Sequence, residues 1–158
     1  MKIVFSHKVN EILDYSREEA ERLNNNYISP EHLFLGLLRD GENKAISLLL
    51  DLNVNLSQLK QDIDLSIKSA HSSLATREMP LLKSTEKVLK ITILEARTFN
   101  KSEADTEHLL LAILRDDNLI SQLLEEKEVN YNSLKKIVDQ EIHAGINFEE
   151  EDDEERPN

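Results

Sequence analysis

The sequence predicts an all-α fold of two tandem four-helix repeats, eight helices in total, related by a pseudo-two-fold axis. Only three glycines and three prolines occur in 158 residues, so few positions favour turns and the regular elements should be long. Aromatic residues make up 4% of the chain, while Leu, Glu, Lys and Asp are abundant, which favours helices over strands. The chain also resembles itself at a fixed spacing, which indicates a duplicated unit.

The duplication is clearest in two matching segments. Ser29–Asp40 returns 76 residues later as Asp105–Asp116, with the same Glu-His-Leu core and the same Leu-Arg-Asp ending. At the same spacing, Glu19 and the alanine after it match Glu95 and its alanine. Because such matches follow in order over most of both halves, we expect each half to fold as the same unit.

The first two helices of each unit have recognisable beginnings and ends. Apolar residues recur every three or four positions in the first helix, which gives it one buried face. The run Asn24–Asn26 is predicted to close this helix, because Asn tolerates the left-handed backbone conformation. Ser29 is a good N-cap for the second helix, with Pro30 at the first helical position and Glu31 in the first turn.

The second helix of each unit is apolar almost all round, which predicts a position in the centre of the bundle. Its apolar residues are Leu33, Phe34, Leu35, Leu37 and Leu38 in the first unit and Leu109, Leu110, Leu111, Ile113 and Leu114 in the second. Gly41 is predicted to end it in the first unit. Two shorter amphipathic helices should follow in each unit, the first around Leu48 and around Leu123, the second around Leu59–Ile63 and around Leu134–Val138.

These elements predict one domain over residues 1–145, with repeat one at about 3–70 and repeat two at about 81–144. The stretch 71–80 should join the two repeats. Residues 146–158 are predicted to be a disordered acidic linker. The run Glu149–Glu155 consists of seven acidic residues, which repel one another and have nothing to bury.

Charge and hydropathy argue against several classes of partner. The formal net charge is −12, and the sequence predicts an acidic body with no basic stripe. Nucleic acid and anionic membrane surfaces need Lys and Arg clusters, so neither is an expected partner. There is no apolar run of about 20 residues and no signal peptide at Met1–Ser6. With no cysteine in the chain, a cytoplasmic location is expected.

Motifs for cofactors and metals are incomplete, so no cofactor, metal or catalytic residue is predicted. Gly36 and Gly41 have the glycine spacing of a phosphate-binding loop, but Glu42 and Asn43 follow where Lys and Ser or Thr are required. The segment Asp51–Asn55 resembles the start of a calcium loop, yet a leucine follows it where that loop needs glycine. An enzyme with an unrecognised site remains an alternative from another class.

Histidine and glutamate recur together at the start of the second helix in both units. His32 and His108 lack the spacing of a metal site, so packing or capping of the helix start is expected. Glu31 and Glu107 allow two interpretations. Each carboxylate can stabilise the positive end of its helix, or it can pair with a guanidinium or amine of an incoming chain.

The doubled Glu-His-Leu core with its Leu-Arg-Asp ending, preceded by Phe5 and Ser6, resembles the double Clp N-terminal repeat over about residues 3–144. The segment Gly36–Glu42 is most similar to the ClpC subfamily. The resemblance implies a domain that precedes two AAA+ ATPase modules, which use ATP and Mg²⁺. It also implies binding of protein substrates and adaptor proteins, delivery to a ClpP-type protease, and a monomeric isolated domain. The N-terminal domain of a ClpB-type disaggregase is the alternative.

Some ClpC proteins bind phosphoarginine-tagged substrates in two equivalent pockets. In each pocket a Thr after the opening aromatic residue and the Glu before His contact the ligand. Carried over by motif, the first pocket would use Ser6 and Glu31. The second would keep Glu107 but has Leu82 at the hydroxyl position, so the resemblance implies that the first pocket binds more strongly.

Overall fold

A computed structural model describes residues 2–69 and 79–141, and it confirms the all-α prediction. Two two-residue strands accompany eight helices in this part of the chain. The elements are β1 (Val4–Phe5), α1 (His7–Arg22), α2 (Pro30–Asp40), α3 (Lys44–Asp51), α4 (Leu56–Ile67), α5 (Lys83–Thr98), β2 (Glu103–Ala104), α6 (Thr106–Arg115), α7 (Leu119–Glu125) and α8 (131–141). Most of the predicted joining stretch 71–80 and the whole predicted linker 146–158 lie outside the described residues.

Side-chain oxygens begin most of these helices, because the first backbone N–H groups of a helix have no partner within it. Ser6 accepts from the backbone N–H of Val9 at the start of α1, and Ser29 begins α2 with Pro30 at its first position. Several helices end with a residue in the left-handed conformation. Asn24 after α1 has φ 60° and Gly41 after α2 has φ 73°, so both predicted ends are confirmed.

The two apolar helices lie at the centre of a single core. All the apolar residues of α2 except Leu38, and those of α6 throughout, are at most 6% exposed. Helices α2 and α6 contact each other, α2 also contacts α7, and α3 contacts α6. The predicted central position of both helices is confirmed: α2 and α6 form an apolar seam between the repeats, and each repeat also packs on the third helix of the other.

The contacts between the repeats show the pseudo-two-fold relation directly. Phe5 pairs with Ala104 in the sheet, and Leu81 pairs with Ile28 in an isolated bridge. Shifting each residue by 76 positions exchanges these two pairs, as a two-fold axis requires. The sequence did not predict these short strands, because two residues are too few for a periodic pattern.

Within the described residues, none of the helices combines the length and apolar character that a membrane crossing requires.

Candidate functional site

The starts of α2 and α6 are built alike around a buried histidine. The backbone N–H of Ser29 donates to Nδ1 of His32 at 2.9 Å, and that of Asp105 donates to Nδ1 of His108 at 2.9 Å. Because Nδ1 is the acceptor, the proton of each neutral ring is on Nε2. The predicted capping role of both histidines is therefore confirmed.

Both rings are held in the neutral form. His32 is 0% and His108 is 2% exposed. Burial lowers the pKa of each from 6.5 to about 4, since removing water penalises the imidazolium ion. Near neutral pH each ring therefore offers one N–H donor at Nε2.

The two histidines differ in what this donor meets. Nε2 of His32 lies 2.8 Å from Oδ1 of Asn25, which accepts its hydrogen. The residue 76 positions after Asn25 is Lys101, which cannot accept a hydrogen bond. Nε2 of His108 is buried and has no hydrogen-bond partner in the described part of the chain. The buried Nε2–H donor therefore has an acceptor in the first repeat and, among the described residues, none in the second.

Glu31 and Glu107 both reach across to the other repeat. Oε2 of Glu31, which is half-buried, accepts from the backbone N–H of Leu119 at 3.3 Å, at the start of α7. Oε2 of Glu107 lies 3.5 Å from Nζ of Lys44, at the start of α3. Each carboxylate therefore meets the first residue of the opposite repeat's third helix.

The two carboxylates differ in how completely they are satisfied. Glu107 is 8% exposed, and its Oε1 is buried without a hydrogen-bond partner among residues 2–69 and 79–141. Burial raises the pKa of Glu107, opposed by its backbone hydrogen bond and by Lys44. A second group able to donate to Oε1 would therefore be stabilised there, because an unpaired buried acceptor is costly.

The open atoms of Glu107 and His108 belong to residues that line the same cavity of about 270 Å³ at the start of α6. Its lining consists of Lys101, Ser102, Glu103, Asp105, Glu107 and His108. A carboxylate oxygen can accept and an imidazole N–H can donate, so a ligand group that carries both a donor and an acceptor would satisfy the two atoms. Both atoms are buried, so such a group would reach them only after neighbouring side chains moved. The lining of the cavity includes three acidic residues and one lysine.

Ser6 lies at this same helix start. Its hydroxyl donates to Oδ1 of Asp105 at 2.9 Å, and Ser6 is 6% exposed. The backbone N–H of Leu82 correspondingly donates to the carbonyl of Ile28, just before α2. The expected grouping of Ser6 with Glu31 is therefore wrong, because the pseudo-two-fold axis brings the opening of each repeat to the second helix of the other. Ser6 is on the side of Glu107, and Leu82 on the side of Glu31.

A larger cavity of about 570 Å³ lies at the other end of α6, lined in part by Asp116, Asp117, Glu125 and Glu126. None of the buried side-chain atoms that lack a hydrogen-bond partner belongs to its lining residues. No group of three or more His, Asp or Glu in the described ranges could hold a metal ion. The cavity beside Glu107 is therefore the better candidate site.

Two buried carboxylates with a structural role were not predicted from the sequence. Glu19 is 3% exposed and pairs with Arg39 at 3.1 Å, and Glu95 is 1% exposed and pairs with Arg115 at 3.3 Å. Both pairs tie the first helix of a repeat to the end of its second helix. The signal was present, since the same Glu and Arg recur at the 76-residue spacing.

Curated proteins similar to this chain are Clp proteins. The chain is 29% identical over 132 residues to a protein described as an ATP-dependent Clp protease ATP-binding subunit ClpA homolog, from Porphyra purpurea. It is 30% identical over 135 residues to the chaperone protein ClpB of Oceanobacillus iheyensis. These matches cover 83% and 85% of this chain but 16% of each relative, so the chain spans about a sixth of their length.

The fold is similar to that of a solved N-terminal domain. The crystal structure of the Hsp104 N-terminal domain from Candida albicans matches with a TM-score of 0.70, covering 84% of this chain and 87% of that one at 16% identity. A family model described as the Clp repeat N-terminal domain matches residues 4–127 and 83–155. With the duplicated four-helix unit and this family match, the chain belongs to the Clp repeat N-terminal domain family.

Proposed function

We propose that this chain is the substrate- and adaptor-binding N-terminal domain of an ATP-dependent Clp protease ATPase subunit, with no catalysis of its own. The family match supports this, as does the description of a relative as a Clp protease ATP-binding subunit. In this proposal the rest of the protein supplies the ATPase modules with ATP and Mg²⁺. A ClpP-type protease in the cytoplasm would degrade the proteins that the domain delivers.

The proposal favours a ClpC-type parent over a ClpB-type disaggregase, although a ClpB protein is among the relatives. The segment Gly36–Glu42 supports ClpC by its resemblance to that subfamily. In this proposal the sequence of the ATPase modules distinguishes the two. A protease-docking loop is expected for ClpC, and a long coiled-coil insertion would identify ClpB instead.

The cavity at the start of α6 is the single observation that best supports peptide binding. Plain arginine offers only donors, which would satisfy Glu107 but leave the N–H of His108 unpaired. Phosphoarginine offers guanidinium donors for Glu107 and phosphate oxygens that can accept from His108, with Lys101 adding positive charge. We therefore propose that a phosphoarginine side chain of a substrate binds here, beside Ser6 and Asp105.

The first testable prediction compares the two glutamates. Glu107→Gln is expected to weaken binding of a phosphoarginine peptide by about 10- to 100-fold, because a charge-assisted hydrogen bond is lost. Glu31→Gln should weaken binding of the same peptide by less than about threefold, because Leu82, and not a hydroxyl residue, lies beside Glu31. Titration of the labelled peptide and its unmodified twin, followed by fluorescence anisotropy, measures both changes.

A matched variant tests the role of the open histidine donor. Lys101→Asn gives the second repeat the residue that satisfies His32 in the first, so the new amide should accept from His108. The same change removes the positive charge of Lys101, and both effects should weaken phosphopeptide binding. Equal affinity for the modified and unmodified peptides would contradict the phosphoarginine proposal. So would a larger loss in Glu31→Gln than in Glu107→Gln.

A further inference from the structure

One exposed face of α5 carries a row of cations. Lys83, Lys87, Lys90, Leu94 and Arg97 follow one another at spacings of four, three, four and three residues, which places them on one side of the helix. All five are exposed, with Leu94 46% exposed in the middle of the row. We call these residues, together with Lys101 just beyond the helix, the basic row.

The basic row corrects the expectation of an acidic body without a basic stripe. The equivalent positions of α1, 76 residues earlier, are His7, Glu11, Asp14, Glu18 and Glu21. Duplicated helices thus present faces of opposite charge. The same face of the equivalent helix in the first repeat carries mainly acidic residues. The basic row is therefore a feature of this sequence and not of the repeat architecture.

Few carboxylates of the domain neutralise the basic row. Lys87 lies 3.5 Å from Asp116, with its side chain 61% exposed. The remaining four cations form no ion pair with any carboxylate in residues 2–69 and 79–141. A row of cations around an exposed leucine suits a strongly acidic segment that also carries an apolar residue.

We propose that the acidic run Glu149–Glu155 of this same chain docks on the basic row. The run consists of seven consecutive carboxylate residues, and Phe148 immediately before it can meet Leu94. Lys83 to Arg97 spans about 21 Å along the helix. Seven residues of extended chain span about 24 Å, so the run and the row match in length as well as in charge.

The last described residue lies near one end of the row. Oε2 of Glu141 is 3.4 Å from Nζ of Lys44, which is 3.5 Å from Oε2 of Glu107. Glu107 and Lys101 line the same cavity. The eight residue steps from 141 to 149 can cover about 28 Å, which allows Glu149 to reach the Lys101 end of the row, from which the run can extend towards Lys83.

Docking of the run would cover the cations of the α5 face. An acidic segment of another protein would have to displace the run before it could bind the same cations. Lys101 belongs both to the basic row and to the lining of the cavity at the start of α6, but docking on Lys83, Lys87, Lys90 and Arg97 requires neither Glu107 nor His108. Failure of one proposal therefore leaves the other testable.

Lysine acetylation kinetics, resolved by mass spectrometry, test the docking in the full chain. One variant carries amides in place of all seven carboxylates of the run. At low ionic strength, Lys83, Lys87 and Lys90 are expected to react about three- to tenfold faster in this variant than in the unchanged protein. Lys60 and Lys68 on and after α4 serve as internal controls and should react equally in both.

A second variant, in which negative charge is removed from α1 instead of from the run, separates docking from bulk charge. Asp14→Asn, Glu18→Gln and Glu21→Gln together remove negative charge from α1, and they should leave the reactivity of the basic row unchanged. An equal increase in this variant would overturn the proposal, as would unchanged reactivity in the amide variant. Protection that grows with protein concentration would also overturn it, because it would identify a second copy as the occupant.

Discussion

Acidification from pH 7 to pH 5 is expected to lower the free energy of unfolding by about 4 kcal/mol through two histidines alone, about 2 kcal/mol from each. His32 and His108 are buried in the folded domain, and their pKa is lowered from 6.5 to about 4. Between these values the unfolded chain binds a proton on each ring and the folded domain does not. For a domain of ordinary stability this is a large loss.

The sign follows from proton binding. A folded pKa below the unfolded one means that the histidine contribution is fully present above pH 6.5 and is lost as the pH falls towards 4. Glu107 acts in the opposite direction, because burial raises its pKa and the folded domain takes up its proton more readily. The measured loss should therefore be somewhat smaller than the histidine contribution.

The double variant His32→Gln, His108→Gln tests this assignment. Each histidine occupies the third helical position and accepts from the N-cap backbone N–H, a place where Gln can make the same hydrogen bond without titrating. Urea unfolding followed by circular dichroism between pH 7 and pH 5 should give a flatter stability profile for the variant. An unchanged slope would assign the acid sensitivity to the surface carboxylates instead.

The helix boundaries could be predicted from the sequence, because each depends on a few neighbouring residues. Ser29 followed by Pro30 marks a helix start whatever the rest of the fold does, and Gly41 marks its end in the same way. The apolar central helices were equally predictable, since a helix without a polar face must be buried on all sides. The duplication then extended each local prediction to the second half of the chain.

The grouping of site residues depended on information that the repeat alone does not contain. A duplicated unit can keep its opening segment against its own second helix, or exchange it with the other unit. Motif spacing is identical in the two cases, so Ser6 was assigned to Glu31. The hydrogen bond from Ser6 to Asp105 identifies the exchanged arrangement.

The basic row was missed for a different reason. A net charge of −12 describes the whole chain and hides a local excess of the opposite sign. Its members are separated along the chain, and the row becomes visible when the helical spacing from Lys83 to Arg97 is followed. The difference between Asn25 and Lys101, which opens the donor of His108, could likewise have been found by comparing the repeats position by position.

The close approach of α1 and α2 gives the second large expected effect, because it leaves no room for a side chain at Gly36. A Cβ atom there would lie 2.7 Å from Oγ of Ser16, 2.8 Å from the carbonyl oxygen of Ile12 and 3.2 Å from Cγ2 of Ile12. The carbonyl belongs to helix backbone and cannot turn away. Gly36→Val should therefore force the two helices apart and reduce the free energy of unfolding by about 3 kcal/mol or more.

The second repeat provides the matched control for this prediction. Ala112 occupies the position equivalent to Gly36 and is fully buried, so the α5–α6 contact already accommodates a methyl group. Ala112→Gly should lower the free energy of unfolding by only about 1 kcal/mol, mainly through helix propensity.

Adding Ser16→Ala to Gly36→Val removes one of the three close contacts but leaves both contacts with Ile12, so it should recover only part of the loss. Urea unfolding of the four proteins measures these differences, and a loss below about 1 kcal/mol in Gly36→Val would mean that α1 yields easily.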